Sequence, residues 1–224
     1  GTLFAQSSGG AVRLNAGNNT VRALAGGGGA TGFDLSTAST LAVDGAITAP
    51  LIRLAPTGLL SLNAPLNASN MLVLEALRGT DQAASGAGIT AGTLVLEAPL
   101  GRVSLTGAGN RVTSLGQSLV PLGLSLTNAG DLNIAGEVTG GQITLTVTGG
   151  SLSQDPAGSR VTSPDLVLRA PDGSVLLDGP LNVIQAVLGS ARVCVVVVSG
   201  GDLLGSGPVG ASSVALGRGG ALRQ

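Results

Sequence analysis

Three stretches of this chain repeat one pattern: "GAVRLNAGNNTV" at residues 10–21, "GRVSLTGAGNRV" at 101–112 and "GSVLLDGPLNVI" at 173–184. In each stretch the opening Gly is followed by Val two residues later, by Leu four residues later and by Asn nine residues later. A chain that returns to one pattern is built from repeated structural units, and the spacing of those units predicts the fold.

The long repeat contains a shorter one. Its copies begin at Gly10, Gly101 and Gly173, and the unequal spacings of 91 and 72 residues imply a smaller unit that is added or dropped. Related octapeptides recur as "LIRLAPTG" at 51–58, "LVLEALRG" at 72–79 and "LVLEAPLG" at 94–101, which are 21 and 22 residues apart. A period of this length is typical of one coil of a solenoid.

Within each unit, apolar and polar residues alternate. Ile143, Leu145 and Val147 are separated by threonines, which predicts a short strand with one buried face. The same reasoning places Val103, Leu105, Leu132 and Ile134 inward. About three such strands fit in each unit. The sequence therefore predicts an all-β fold, a right-handed parallel β-helix (β-solenoid) of roughly ten coils of about 22 residues, with the hand taken from the rule for parallel crossovers.

Two other folds compete with the solenoid. An antiparallel β-sandwich also has many short strands, but it gives no reason for a repeat of 22 residues. A capped helix over 66–78 agrees with the local propensities. The matching segments "LVLEA" at 94–98 and "LVLRA" at 166–170 lie beside Gly and Pro, where a helix would not persist. All three segments are therefore predicted to be strands.

The residues between the strands are typical of tight corners. Asn19, Asn110 and Asn182 are predicted at equivalent corners, with side-chain amides bonded to the backbone; contact with a ligand is the alternative. The run "GGGG" at 26–29 is predicted to be a flexible or tight turn, since it lacks the Lys and Ser/Thr of a phosphate-binding loop. Cys194, within "RVCVVVVSG", is predicted to be a small buried hydrophobe.

The composition excludes several classes of partner. The net charge is −1, all basic residues are Arg, and aromatic residues make up 1% of the chain. No basic stripe or aromatic platform is present for phosphates or bases, so nucleic-acid binding is not expected. Membrane insertion is not expected either, because no apolar stretch approaches the roughly 20 residues of a membrane helix.

The sequence offers little chemistry. With no His and a single Cys, it excludes Ser-His-Asp and Cys-His catalysis and the common zinc and iron–sulfur sites. We predict no catalytic residue, no cofactor and no metal site. Three alternatives remain open: a carboxylate pair that converges across coils, a calcium-binding segment "GGSLSQDPAG" at 149–158, and an ice-binding face from the Thr-x-Thr pattern at 143–149, although that pattern does not recur on successive coils.

The scattered carboxylates are the residues that a polysaccharide-active enzyme would use. They show no evident cluster along the chain, and those that follow strands are most simply surface or corner residues. The twelve are Asp34, Asp44, Glu75, Asp81, Glu97, Asp131, Glu137, Asp155, Asp165, Asp172, Asp178 and Asp202.

The repeats are similar to those of a known family. "GNRVTSLG", "GLSLTNAGDLNIAGEVTGGQITLTVTGGSL" and "SPDLVLRAPDGSVLL" resemble the filamentous haemagglutinin-like exoproteins of Gram-negative bacteria, over most of residues 10–188. The resemblance implies a large adhesin, commonly exported by two-partner secretion, whose shaft is a right-handed parallel β-helix. The family's secretion domain with Asn-Pro-Asn motifs is not found here, and shaft repeats share no functional residue to carry over.

These observations give expectations for organisation and function. Residues 1–224 are expected to be a single β-solenoid segment, an internal fragment of a longer protein at the outer cell surface or outside the cell. We expect a structural shaft or adhesive segment, a stiff spacer or weak surface-contact fibre, with an unidentified glycan or protein receptor on a host or cell surface. The alternatives are a self-assembling extracellular filament joined through the β-helix ends and, as a second, a polysaccharide-active β-helix enzyme. We do not expect this chain to be an enzyme.

Overall fold

Strands account for all the regular structure in the part of the chain that the computed structural model describes, residues 1–219 and 222–223. The strands are β1 (Thr2–Ser7), β2 (Ala11–Leu14), β3 (Ala23–Gly29), β4 (Gly32–Thr37), β5 (Leu41–Val43), β6 (Ile47–Pro56), β7 (Leu60–Leu62), β8 (Leu66–Glu75), β9 (Gly79–Gln82), β10 (Ile89–Glu97), β11 (Arg102–Leu105), β12 (Arg111–Val120), β13 (Leu124–Asn128), β14 (Leu132–Ile134), β15 (Glu137–Gly140), β16 (Gln142–Val147), β17 (Leu152–Gln154), β18 (Arg160–Ala170), β19 (Val175–Leu177), β20 (Val183–Ala191), β21 (Cys194–Ser199), β22 (Leu203–Gly210), β23 (Ser213–Arg218) and β24 (Leu222–Arg223).

The strands stack as a parallel β-solenoid, which confirms the predicted fold. Every strand pairing within the described residues is parallel, and each joins one coil to the next. There are about ten coils of about 21 residues. A sandwich of hairpins would pair its strands antiparallel, so that alternative is wrong. The right-handed winding stays a prediction.

The core is one column of stacked apolar side chains. One ladder runs through Phe33, Ile52, Leu72, Leu94 and Leu115, each fully buried. The residues predicted to face inward are buried as well, because alternation along a strand sends every second side chain to the same face. They are Val103, Leu105, Leu132, Ile134, Ile143, Leu145 and Val147. No coil could bury its inward row alone, so the stacking of coils makes the core.

The segment that could have formed a helix is a strand. β8 covers Leu66–Glu75 and pairs in register with β6 on one side and β10 on the other. Leu72 and Leu74 point inward on the same strand face. Local helix propensity is overridden because both neighbouring coils offer a strand edge, and pairing with both satisfies the backbone.

The prediction of a turn at residues 26–29 is wrong, since these glycines lie inside β3. Gly26 and Gly27 have φ of +119° and +144°, which other residues rarely adopt. A Cβ on Gly27 would lie 1.9 Å from the carbonyl oxygen of Ala5, and one on Gly28 2.2 Å from that of Thr48. The run therefore allows the coils below and above to approach β3 closely.

The buried position predicted for Cys194 is also wrong, because the side chain is partly exposed. Val195 and Val197 are fully buried and stack on Val175 and Leu177 of the preceding coil. Alternation then turns Cys194 outward, where neighbouring side chains cover only part of it.

The long sequence repeat is not a whole number of coils. Following register partners from Val12 through four successive coils leads to Leu94. Val103, the counterpart of Val12 in the second copy, comes nine residues after Leu94. Three coils lead from Val103 to Leu166, and Val175 again follows nine residues later. Each copy therefore begins on the next face of the rod, and the spacings of 91 and 72 residues differ by one coil.

Candidate functional site

The three repeated asparagines lie at equivalent corners, as predicted. The Nδ2 group of Asn110 donates to the carbonyls of Leu105 and Thr127, each at 3.1 Å. Asn182 makes the corresponding bonds to Leu177 and Val198 at 3.5 and 3.1 Å, and Asn19 those to Leu14 and Ser36 at 2.7 and 3.1 Å. The first carbonyl of each pair ends the strand before the corner, and the second lies near the end of the strand that pairs with it in the next coil. The amide therefore bridges two coils at the point where the corner interrupts the ladder.

Sequence reasoning missed two glutamines that complete these corners. The Nε2 group of Gln82 donates to Oδ1 of Asn110 at 2.6 Å, and that of Gln154 donates to Oδ1 of Asn182 at 2.7 Å. The backbone N–H groups of Gly107 and Gly179 donate to the Oε1 atoms of the same glutamines. The sequence contained a sign of this pairing, because in both copies a Gln precedes the repeated Asn by 28 residues.

The corners of Asn110 and Asn182 are built for structure and leave no room for a ligand. Asn110 and Asn182 are fully buried. The Oδ1 atom of Asn110 also accepts from the N–H of Ile89 at 3.0 Å, and that of Asn182 from the N–H of Val161 at 2.8 Å. Both the nitrogen and the oxygen of each amide are therefore bonded within the protein, which favours the corner interpretation over ligand contact.

The most organised charged group on the surface surrounds Arg53. Its guanidinium donates to Oδ1 of Asp34 at 3.1 Å and to the carboxylate of Glu75. The three residues come from successive coils, which the parallel register places side by side. The hydrogen bond with Glu75, helped by that with Asp34 and opposed by partial burial, raises the pKa of Arg53 above its usual value. The cluster stabilises the packing of coils and holds its acids in ion pairs.

One pair of carboxylates does meet across coils. Glu75 and Glu97 are register partners on β8 and β10, so their backbones are about 4.8 Å apart. The depression beside them, lined by Leu77 and Pro99, measures about 130 Å³. A sugar-binding cleft usually needs roughly 300 Å³ or more. With Glu75 bound to Arg53, this pair lacks the open groove that glycoside chemistry requires.

Two further depressions on the described surface contain few charged groups. One of about 530 Å³ contains a single carboxylate, Asp202, among apolar residues such as Val183 and Leu204. Another, of about 380 Å³, combines Arg13 and Asp34. The first depression also contains Ser199, whose hydroxyl accepts from the N–H of Ile184 at 3.2 Å and donates to its carbonyl at 3.1 Å, so this hydroxyl is bonded to the backbone. Within the described residues, no three His, Cys, Asp or Glu side chains lie close enough to hold a metal ion.

The calcium and ice-binding readings each rest on a short segment. In residues 149–158, the Oδ1 atom of Asp155 accepts from the N–H of Ala157 at 3.0 Å, so the carboxylate caps its own turn. Thr144 and Thr146 stack on Ser125 and Thr127 of the preceding coil. The next coil places Val167 and an Arg at these positions, so the array of hydroxyls ends there.

Comparisons with known proteins assign no family to this chain. No family model, no curated protein and no solved structure matches it. Over the described residues, the fold contains no helix long and apolar enough to cross a membrane.

Proposed function

We propose that this chain is a structural shaft, a stiff spacer that holds a binding element away from the surface to which it is attached. The observation that carries the proposal is the unbroken parallel stack of about ten coils around one continuous core. In such a stack every interior coil is held by backbone ladders and apolar contacts on both sides, so the rod resists bending. The length grows by about 4.8 Å for each coil, which gives roughly 50 Å here.

The proposed setting is a large exported adhesin at the outer cell surface, with a host or cell-surface glycan or protein as the receptor of the whole molecule. Support for this comes from the resemblance of the repeats to haemagglutinin-like exoproteins. The stacked hydroxyls of Ser125, Thr127, Thr144 and Thr146 are suited to weak contact with polar surfaces along the shaft.

The spacer function predicts that reach depends on coil number, and a repeat deletion tests this. Removing residues 101–172 joins Leu100 to Gly173, which begins the third copy as Gly101 begins the second. It also leaves Gln82 positioned to bind Asn182 in place of Asn110. We expect a folded rod that is shorter by about 15 Å, the height of some three coils.

Spin labels at Cys194 and at an Asn18→Cys substitution, an exposed turn residue, measure the change by electron–electron resonance. The distance is expected to fall from about 40 Å by about 15 Å. To test the spacer function, each rod is fixed at one end to a bead coated with a polymer layer and carries a binding module at its other end. Capture of the module's target is expected to fall in the shorter rod, and capture that does not depend on coil number would contradict the spacer.

A further inference from the structure

Large apolar side chains are exposed together at one corner in the middle of the rod. Leu77, Leu100 and Leu122 lie in the corresponding four-residue turn of three successive coils, each turn closed by a hydrogen bond from its last N–H to its first carbonyl. Leu100 and Leu122 are 61% and 53% exposed. Thr57 and Gly141 take this corner in the coils below and above. The three leucines therefore form a discrete apolar patch, here called the leucine ridge, and such patches mark interaction sites when charged groups surround them.

The leucine ridge separates an acidic flank from a basic flank. Glu75 and Glu97 end the strands that lead into the corner, and Arg78 and Arg102 lie where the strands that leave it begin. Glu97 and both arginines are exposed. None of the ion pairs found in the described residues includes Glu97, Arg78 or Arg102. Within one chain the ridge thus keeps opposite charges apart.

A second copy of this corner is complementary to the first. A twofold axis parallel to the rods brings two leucine ridges together and places each acidic flank against the basic flank of the other chain. Glu75 then lies opposite Arg78, and Glu97 lies opposite Arg102. A twofold axis across the rods would make them antiparallel and set Glu75 against Gly123, which follows Arg102 in the ladder. The parallel arrangement therefore matches both acids, and the antiparallel one matches only Glu97.

We propose that two copies of this chain pair side by side and parallel through the leucine ridge, with the acidic flank of each against the basic flank of the other. Contact between the ridges removes exposed leucine surface from water, which favours association. The flanking charges fix the direction and the register of the pair. A contact over three coils is small for a specific interface, so the pair forms and separates readily. The inference goes beyond the spacer role and does not depend on it.

Mass as a function of concentration tests the contact. Sedimentation equilibrium of the full chain at low salt, between about 10 μM and 1 mM, is expected to show monomer and dimer without larger species, because a twofold contact closes on itself. Leu100→Asp places an unpaired charge at the centre of the contact and is expected to weaken dimerisation at least about ten-fold. Leu176→Asp, at an exposed leucine that stacks on Ser153 away from the ridge, is the matched control and should dimerise like the unaltered chain.

Reversals of charge test the flanks. Glu97→Arg sets two basic groups opposite each other across the contact, and Arg102→Glu sets two acidic groups opposite each other. Each variant alone is expected to dimerise at least about ten-fold more weakly. An equimolar mixture of the two variants restores opposite charges at both places and is expected to dimerise about as tightly as the unaltered chain. Arg111→Glu, at an exposed residue outside the corner, is the control and should change association less than about two-fold.

Disulfide trapping determines the direction of the rods. In a Cys194→Ser background, Leu122→Cys is expected to link two copies on mild oxidation, because a parallel pair brings this position together with itself. Crosslinking only between Leu77→Cys and Leu122→Cys would show antiparallel rods and overturn the proposed pair. Thermal unfolding establishes that every variant is folded. The proposal is also overturned if the unaltered chain stays monomeric throughout, if Leu100→Asp leaves dimerisation unchanged, or if the mixture of charge reversals fails to dimerise.

Discussion

The side-chain amides of Gln82 and Asn110 form a closed pair between neighbouring coils. Nε2 of Gln82 donates to Oδ1 of Asn110 at 2.6 Å, and Nδ2 of Asn110 donates to Oε1 of Gln82 at 3.0 Å. Gln154 and Asn182 repeat the pair at 2.7 and 2.8 Å. A slip of one residue between coils would separate both pairs and take these partners from the buried amides of Asn110, Gln154 and Asn182. The pairs therefore fix the register of an otherwise uniform apolar stack.

The first prediction concerns the amide pair itself. Asn182→Ala leaves the N–H of Val161 and the carbonyl of Val198 without their partners, and we expect a loss of about 2–4 kcal/mol in the free energy of unfolding. Urea denaturation measures the loss. Asn63→Ala removes one exposed bond to Asp44 and should cost less than about 0.5 kcal/mol. Equal losses in the two variants would contradict the assigned role.

A second prediction concerns the glycine that faces this pair. A Cβ at position 179 would lie 2.5 Å from Nε2 of Gln154, so Gly179→Ala should destabilise the fold by about 1–3 kcal/mol through overpacking. Combining it with Gln154→Ala removes the clash, and the two losses should be less than additive. Gly210→Ala, with open space around the added Cβ, is the control and should be nearly neutral. Strictly additive losses of stability would show that Gly179 is not needed to make room for the Gln154 side chain.

The third prediction concerns the ion pairs of Arg53, which contribute less to stability than the amide pairs and whose contribution depends on salt. Arg53→Met removes the bonds to Asp34 and Glu75. Because the Arg53 side chain is 33% exposed, solvent screening limits the loss to about 1 kcal/mol, and added salt should shrink it. The raised pKa of Arg53 means that its contribution is complete below the usual arginine pKa and is lost only as pH rises through the raised value. The contribution of Arg53 to the free energy of unfolding should therefore not change with pH around neutrality. Arg102→Met, at an exposed residue without an ion pair in the described structure, is the comparison.

A fourth prediction follows from the coil as the unit of insertion. The strand at residues 41–43 pairs in register with the strand at residues 60–62 of the next coil. Deletion of residues 41–59 therefore removes one whole coil and keeps the inward-facing residues on the inner face. We expect a folded rod shorter by about 4.8 Å, measured by small-angle scattering. Deletion of residues 41–50 removes half a lap and should unfold the chain. If both deletions fold equally well, the coils are not the exchangeable units.

The outward position of Cys194 gives the fifth prediction. A thiol reagent should modify the folded protein at a measurable rate, because the side chain is partly exposed. Cys194→Ser should cost less than about 1 kcal/mol. Val195→Ser, one residue along and fully buried, should cost at least about 2 kcal/mol. A thiol that reacts only after unfolding would contradict this orientation.

Local sequence patterns were enough to predict most of the strands, the inward rows and the asparagine corners. Alternation in "ITLTVT" and the position of Asn110 after a strand are local features, and local sterics translate them directly into structure. The recurrence of related octapeptides every 21 to 23 residues then required coils that stack. The carboxylate pair of Glu75 and Glu97 was missed, although both are the fourth residue of the aligned octapeptides at 72–79 and 94–101. The register of β8 and β10 makes them direct neighbours.

Features that depend on the neighbouring coil became apparent only once the coils were stacked in three dimensions. Gln82 lies in "GTDQAASG", which by itself indicates a polar turn, and it becomes a partner of Asn110 through stacking alone. The run from Val193 to Val198 is apolar throughout, so nothing along it distinguishes inside from outside. Val175 and Leu177 in the coil beneath set that phase and turn Cys194 outward, because parallel strands in register align their side chains with those of their neighbours.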